Sequence, residues 1–169
     1  MLFLLLPANT HIFWDPEFAD VKLWQTWVLC QELEKLVLPR NLPLVLCGDL
    51  NSLVESSVYE LLSTERVEQG DDVFGTGDPS GLLPAPHQVS HRLPLLSAYA
   101  TIGEPKYTNY TGSFVGILDY IWFTRTHLRC VACLDVDEES LLRQHTALPS
   151  PLYPSDHIPL VTTLEFLDA

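Results

Sequence analysis

The chain has 169 residues, of which 47% are hydrophobic and 18% charged, the make-up of one globular domain with a sizeable core and not of a disordered chain. Its formal net charge of −13 speaks against a protein that grips nucleic acid through a basic surface, but not against an enzyme that meets phosphate through bound metal. Four cysteines are too few for a disulfide framework at this length, and a reducing compartment fits them.

In chain order, "MLFLLLPANTH" is apolar, lacks a basic start and meets Pro7 at once, so it predicts a buried strand, not a signal peptide or a membrane span. The stretch "PEFADVKLWQTWVLCQELEKLVL" carries Phe18, Val21, Leu23, Trp24, Val28, Leu29, Leu33 and Leu36 at helical spacing, with Pro16 at the start and Pro39 past the end. Trp24 and Trp27 are read as packing residues of that helix. "PLVLCGD" predicts a short, fully buried strand, and "SSVYELLS" a short helix with a serine cap. Residues 65–94, rich in Gly, Pro and Asp, predict a long surface loop inserted into the domain. Strands are then expected at "KYTNYT", "GILDYIWFT", "LRCVACLDV" and "HIPLVTTLEF", with a small helix at "EESLLRQ" before the last of them. The acids of "DVDEES" suit a solvated turn and a helix start.

Several strand ends are polar in a way that concerns chemistry. In "LVLCGDLNS", Asp49 and Asn51 are two apart, so they share a face and converge on one point beyond the strand. A carboxylate and a carboxamide suit a hard divalent cation and a phosphate oxygen, although "GDLN" is by itself more often a turn bonded to local backbone. "PANTHIFW" places Asn9 and His11 where the first strand runs out. "GILDYIWF" sets Asp119 in the middle of an apolar strand, where a carboxylate needs a partner. "YPSDHIPLV" puts Asp156 and His157 before the last apolar run. Four strand ends bearing Asp, Asn or His fit phosphoester hydrolysis: metal held by carboxylates, an imidazole at the phosphoryl group, and an Asp orienting that imidazole. "CVAC" has the spacing of a redox motif, but it lies in an apolar strand without a second pair, and the expectation is a pair of buried, inert cysteines. His87, His91, His127 and His145 have no partner spacing and no role is assigned to them.

The stretches "NTHIFWDPEFADVKLWQ", "LVLCGDLNS", "YTNYTGSFVGILDYIWF" and "LPSPLYPSDHIPLV" resemble, in matching order from Asn9 to Phe166, the catalytic domain of carbon catabolite repressor 4-type deadenylases. These belong to the endonuclease/exonuclease/phosphatase superfamily. The resemblance implies an α+β fold, a four-layer α/β/β/α sandwich of the pancreatic-deoxyribonuclease type. It also implies a magnesium-dependent 3′ exoribonuclease acting on the poly(A) tail of messenger RNA in the cytoplasm or nucleus, with no DNA preference and with other subunits of a deadenylation complex as partners. Another phosphodiesterase or phosphatase of the superfamily, or a non-catalytic remnant, is the alternative. Carried over residue by residue, Asp49, Asn51, Asp119, His157 and His11 are catalytic, Asp49 and Asp156 are metal ligands, and Pro16, Phe114 and Asn9 bind substrate, Pro16 and Phe114 sandwiching a base. Family members carry, upstream of the "NTHI" strand, a strand ending in Gln-Glu whose Glu is the principal magnesium ligand. Here "CQE" at Cys30 to Glu32 falls inside the predicted helix, so residues 1–169 are expected to be a partial domain, its N-terminal half missing, inactive as it stands.

Overall fold

The computed structural model describes residues 4–68, 80–84 and 88–167. Strand β1 (Leu6–His11) runs parallel to β2 (Leu44–Asp49), in a register that sets Asn9 beside Cys47 and His11 beside Asp49. Parallel neighbours need a crossover, and helix α1 (Ala19–Val37) supplies it. The helix ends in a 3-10 turn at Leu38–Arg40 around Pro39, with Asn41 left-handed behind it. Helix α2 (Ser57–Thr64) starts at the expected cap, Ser56 Oγ accepting from the Tyr59 amide. There follow β3 (Arg66–Val67), β4 (Val89–Ser90), β5 (Leu95–Ser97), β6 (Asn109–Tyr110), β7 (Val115–Gly116), β8 (Asp119–Thr124), β9 (Leu128–Cys133), α3 (Glu139–Leu142) and β10 (Thr162–Phe166).

The main sheet has the order β1-β2-β8-β5, with β8 antiparallel to both of its neighbours. Side-chain alternation divides its residues between two faces. Leu44, Leu46, Tyr120 and Trp122 point to the face covered by α1 and α2, where they meet Cys30, Leu33, Val37, Val58 and Leu62. The opposite face carries Val45, Ile121 and Phe123, and against it packs the antiparallel pair β9–β10 through Leu128, Leu164 and Phe166. The architecture is therefore α+β, with helices on one face of the sheet and a second β layer on the other. Among the described residues no helix is long and apolar enough to cross a membrane.

Three expectations need correction. Strand β1 is not buried: it lies at the sheet edge, its residues alternate between half-buried and exposed, and Leu4 and Leu5 before it are 62% and 40% exposed. The segment 65–94 is not simply a surface loop, because β3 and β4 pair near its two ends. There Val67, Val89 and Leu83 form a small core with Leu23 and Leu61, closed by Trp24 and Trp27. Residues 69–79 and 85–87 of that segment, including His87, lie outside the described residues. The cysteines of "CVAC" are half-buried rather than enclosed, since β9 belongs to a two-stranded layer with one face toward solvent.

One glycine fixes the spacing on which the site depends. Gly48 has φ +153°, and a Cβ there would stand 2.0 Å from the Thr10 carbonyl oxygen. Only a residue without Cβ lets β1 and β2 approach in this way just before Asp49.

Candidate active site

Asp49 is the last residue of β2 and Asp119 the first of β8, and the ladder places them directly opposite each other. Both stand on the face away from the helices, as do Asn9 and His11 on β1. Asp119 is therefore not in the middle of its strand, as the apolar run suggests, but at its mouth, where its side chain is 23% exposed. It has the partners that a sheltered carboxylate requires: Oδ2 accepts from Thr108 Oγ1 at 2.7 Å and from His157 Nδ1 at 2.8 Å.

His157 reaches the site because its segment is stitched to β6. The Ile158 amide donates to the Thr108 carbonyl, the Tyr110 amide donates to the Asp156 carbonyl, and Asn109 and His157 form a bridge. The Thr108 hydroxyl, fully buried, also accepts from the Leu118 and Asp119 amides, so one side chain sets the height of the carboxylate that holds the imidazole. On the other edge of the ring, His157 Nε2 lies 3.8 Å from Asp49 Oδ2, and His11 Nε2 approaches the same oxygen to 3.4 Å. Asp49, Asp119 and His157 each offer a ligand atom within 4.8 Å of one another, a donor set suited to a divalent cation. Asn9, His11 and these three residues line a depression of about 590 Å³.

Asp49 divides its two oxygens between the turn and the site. Oδ1 accepts from the Asn51 amide at 2.8 Å, the local turn that "GDLN" suggests, while Oδ2 faces the imidazoles. Asn51 is left-handed, with φ 45°, and its side-chain amide donates to the Ile12 carbonyl at 2.9 Å. It does not share Asp49's depression. It lines the neighbouring cavity, about 770 Å³ and mainly apolar, together with Trp14, Pro16, Leu53, Asn109 and Phe114. The two recesses meet across the Asp49–Asn51 turn.

Asp156, the other residue to which the resemblance gives a metal-ligand role, stands apart. Its carboxylate accepts from Asn109 Nδ2 at 3.3 Å and lies outside the group of three. Glu32 sits on the exposed side of α1, paired with Lys35, so "CQE" is helical as expected. Two contributors lacked a legible signal. Thr108 lies in a stretch read only as a strand. Lys22 is a buried lysine on the inner side of α1, with Nζ donating to the Asn51 carbonyl at 2.7 Å.

The titration of the site follows from these contacts. Burial, together with the nearby Asp119 carboxylate, raises the Asp49 pKa, against the pull of the Asn51 amide and the two imidazoles. Burial alone would lower His157, but its hydrogen bond to Asp119 and the charges of Asp119, Asp49 and Asp156 outweigh it, and the imidazole is raised. A histidine whose folded pKa is raised contributes stability that is fully present below its unfolded value of about 6.5 and lost as pH rises through the folded one. Asp49, also raised, acts in the same direction: its contribution fades as pH rises through its own folded value. In chelator, the His157 ring is expected to titrate above the ordinary histidine range by NMR, and Asp119→Asn to bring it down. An unchanged His157 titration in that variant would show that Asp119 does not hold the imidazolium.

The chain has relatives among known proteins. A sequence model of the endonuclease/exonuclease/phosphatase family matches residues 7–157. The CCR4-Not complex 3′-5′-exoribonuclease subunit Ccr4 of Candida glabrata is 42% identical over 167 residues, covering 95% of this chain and 19% of that protein. Carbon catabolite repressor protein 4 homolog 1 of Arabidopsis thaliana is 36% identical over 178 residues, covering 94% of this chain and 29% of that one. The chain thus spans less than a third of the length of either relative. Among solved structures, ANGEL2, a 2′,3′-cyclic phosphatase in complex with adenosine-2′,3′-vanadate, superposes with a TM-score of 0.77 at 25% identity, over 94% of this chain and 56% of that one. The human Nocturnin catalytic domain with bound sulfate shares the fold at a TM-score of 0.63 and 24% identity, over 94% and 46%.

Proposed function

The chain belongs to the endonuclease/exonuclease/phosphatase family, and from that premise we propose that it serves a magnesium-dependent 3′ exoribonuclease that shortens poly(A). One observation carries this reading: a cleft built from Asp49, Asp119 and His157 opens beside an apolar cavity flanked by Pro16 and Phe114. The first recess suits a phosphodiester and the second a base. A flat base stacks on a ring without needing a basic groove, which answers the net charge of −13.

The roles follow from the contacts. Asp119, steadied by Thr108, accepts from Nδ1 of His157 and turns Nε2 toward Asp49, where it donates to an oxygen of the scissile phosphate. Asp49 Oδ2, which faces the imidazoles, orients the attacking water and draws on its proton. His11 offers a second, more exposed imidazole to the phosphate. An amide carries two hydrogens, so Asn51, with one donated to Ile12, keeps another for a phosphate oxygen. Asp49 is the residue best placed to hold magnesium, which when bound offsets phosphate charge and favours ionisation of the attacking water. The substrate is single-stranded RNA ending in adenylates, the partners are other subunits of a deadenylation complex, and the place of action is mainly the cytoplasm.

A second reading, opening of 2′,3′-cyclic phosphate ends, is favoured by the likeness to ANGEL2. One assay separates them. The chain, alone and fused behind the upstream segment of the Candida glabrata relative, is given magnesium with 5′-labelled oligo(A), oligo(U) and an RNA ending in a cyclic phosphate. Stepwise loss of 3′ adenylates by the fused protein, faster than loss of uridylates, is the expected result. Ring opening without shortening would transfer the assignment to the second reading.

A further inference from the structure

A regular strand sends residues three apart to opposite faces, yet Cys130 and Cys133 of β9 share one. The cause is a bulge. Strand β10 pairs Thr162 with Cys133, Thr163 with Ala132 and Leu164 with Cys130, so Val131 has no partner across the ladder, and Val131 and Ala132 are exposed in succession. The extra residue brings both cysteines to the side on which Thr162 and Leu164 lie. There the two Sγ atoms stand 3.4 Å apart, Thr162 Oγ1 is 3.2 Å from Cys130 Sγ and 3.5 Å from Cys133 Sγ, and the Ala98 carbonyl oxygen is 3.5 Å from Cys133 Sγ.

That separation is far longer than a disulfide bond of about 2.05 Å. It approaches the roughly 3.8 Å between two sulfurs that each lie about 2.3 Å from one tetrahedral ion. We propose that Cys130 and Cys133 form a two-thiolate site for a thiophilic divalent cation of the zinc class, with the Thr162 hydroxyl as a further donor. The cleft at Asp49 offers carboxylates and imidazoles but no thiolate pair, so coordination through two sulfurs sets this site apart from it. Binding replaces two thiol protons, so each cation taken up releases two protons. The other cysteines do not compete as a pair: Cys30 is fully enclosed, with its thiol pushed up to about 12 by burial, and Cys47 lines the depression beside Asp49 and takes no part in the contacts that join Cys130, Cys133 and Thr162.

The test uses the whole chain, reduced, in excess magnesium, with cadmium as the probe. One equivalent is expected to bind with the near-ultraviolet absorption of cadmium–thiolate bonds, which carboxylate and imidazole ligands do not give. Cys130→Ser and Cys133→Ser should each abolish that absorption, Cys47→Ser should leave it, and Thr162→Val should weaken binding about tenfold. On the unaltered chain, zinc should shield Cys130 and Cys133 together from alkylation, read by peptide mass, while Cys47 reacts as before. A reduced chain that takes up no cadmium through sulfur, absorption that survives Cys133→Ser, or alkylation of the pair untouched by zinc would overturn the site.

Discussion

In the chain fused behind the upstream segment of its relative, His157→Ala is expected to slow phosphodiester hydrolysis at least ~100-fold at saturating magnesium, about 2.7 kcal/mol of transition-state stabilisation. The ring links both carboxylates of the cleft, 2.8 Å from Asp119 on one side and 3.8 Å from Asp49 on the other. Its loss removes a donor aimed at the phosphate and leaves two carboxylates facing each other across the β2–β8 ladder. Asp49→Ala should cost as much, through the attacking water. Asp119 touches no substrate in this scheme and acts through His157, so Asp119→Ala added to His157→Ala should lower the rate little further. Circular dichroism should show the fold retained, because the side chains of Asp49 and His157 lie outside the core clusters. Near-parental rates in either single variant, or full additivity of the pair, would contradict these roles.

The parts of this site that the sequence shows are those whose side chains interrupt a pattern. Asp49 ends an apolar run, Asp119 interrupts one, and His157 stands in a short polar segment before one, so each stands out from its neighbours. What holds them does not stand out. Thr108 is a threonine in a stretch of threonines, tyrosines and an asparagine, and its importance comes from a contact eleven residues away that no local pattern encodes. Lys22 sits at a core position of an amphipathic helix, where a charge reads as noise until its ammonium is seen on the Asn51 carbonyl. Asp156 shows how little adjacency alone decides: it neighbours His157 in sequence, yet its carboxylate meets Asn109 Nδ2 and lies outside the group around Asp49. For the fold, long elements such as α1 were legible from their period. β5 and β7, three and two residues long, are too short to show one and exist because a neighbour pairs with them. The bulge at Val131 is hidden for a related reason, since it is defined only by the register of the partner strand.

Phe114→Ala is expected to lower kcat/KM on oligo(A) by roughly 5- to 150-fold, the equivalent of about 1 to 3 kcal/mol for one stacked base, mainly through KM. Phe114 sits in the turn between β6 and β7, where its amide donates to Thr111 Oγ1 and its carbonyl accepts from the Thr111 amide, so the ring is offered from a tight and well-bonded loop. It is 38% exposed, as a stacking surface must be. Beneath it lies Gly116: a Cβ there would stand 2.8 Å from Phe114 Cζ and 3.0 Å from Leu53 Cδ2. The ring can rest in this position only because residue 116 has no side chain. Gly116→Ala should therefore push the ring out of place and reproduce part of the Phe114→Ala defect without removing an aromatic atom, whereas Phe114→Tyr should keep most of the activity. Magnesium dependence should be unchanged in all three, because the cavity that Phe114 lines with Pro16 and Asn51 is separate from the depression around Asp49. Oligo(A) and oligo(U) should become more alike as substrates when the ring is lost. If Phe114→Ala and Gly116→Ala leave the preference for adenylates intact, the apolar cavity is not where the base is read, and specificity must come from the phosphate side of the Asp49–Asn51 turn.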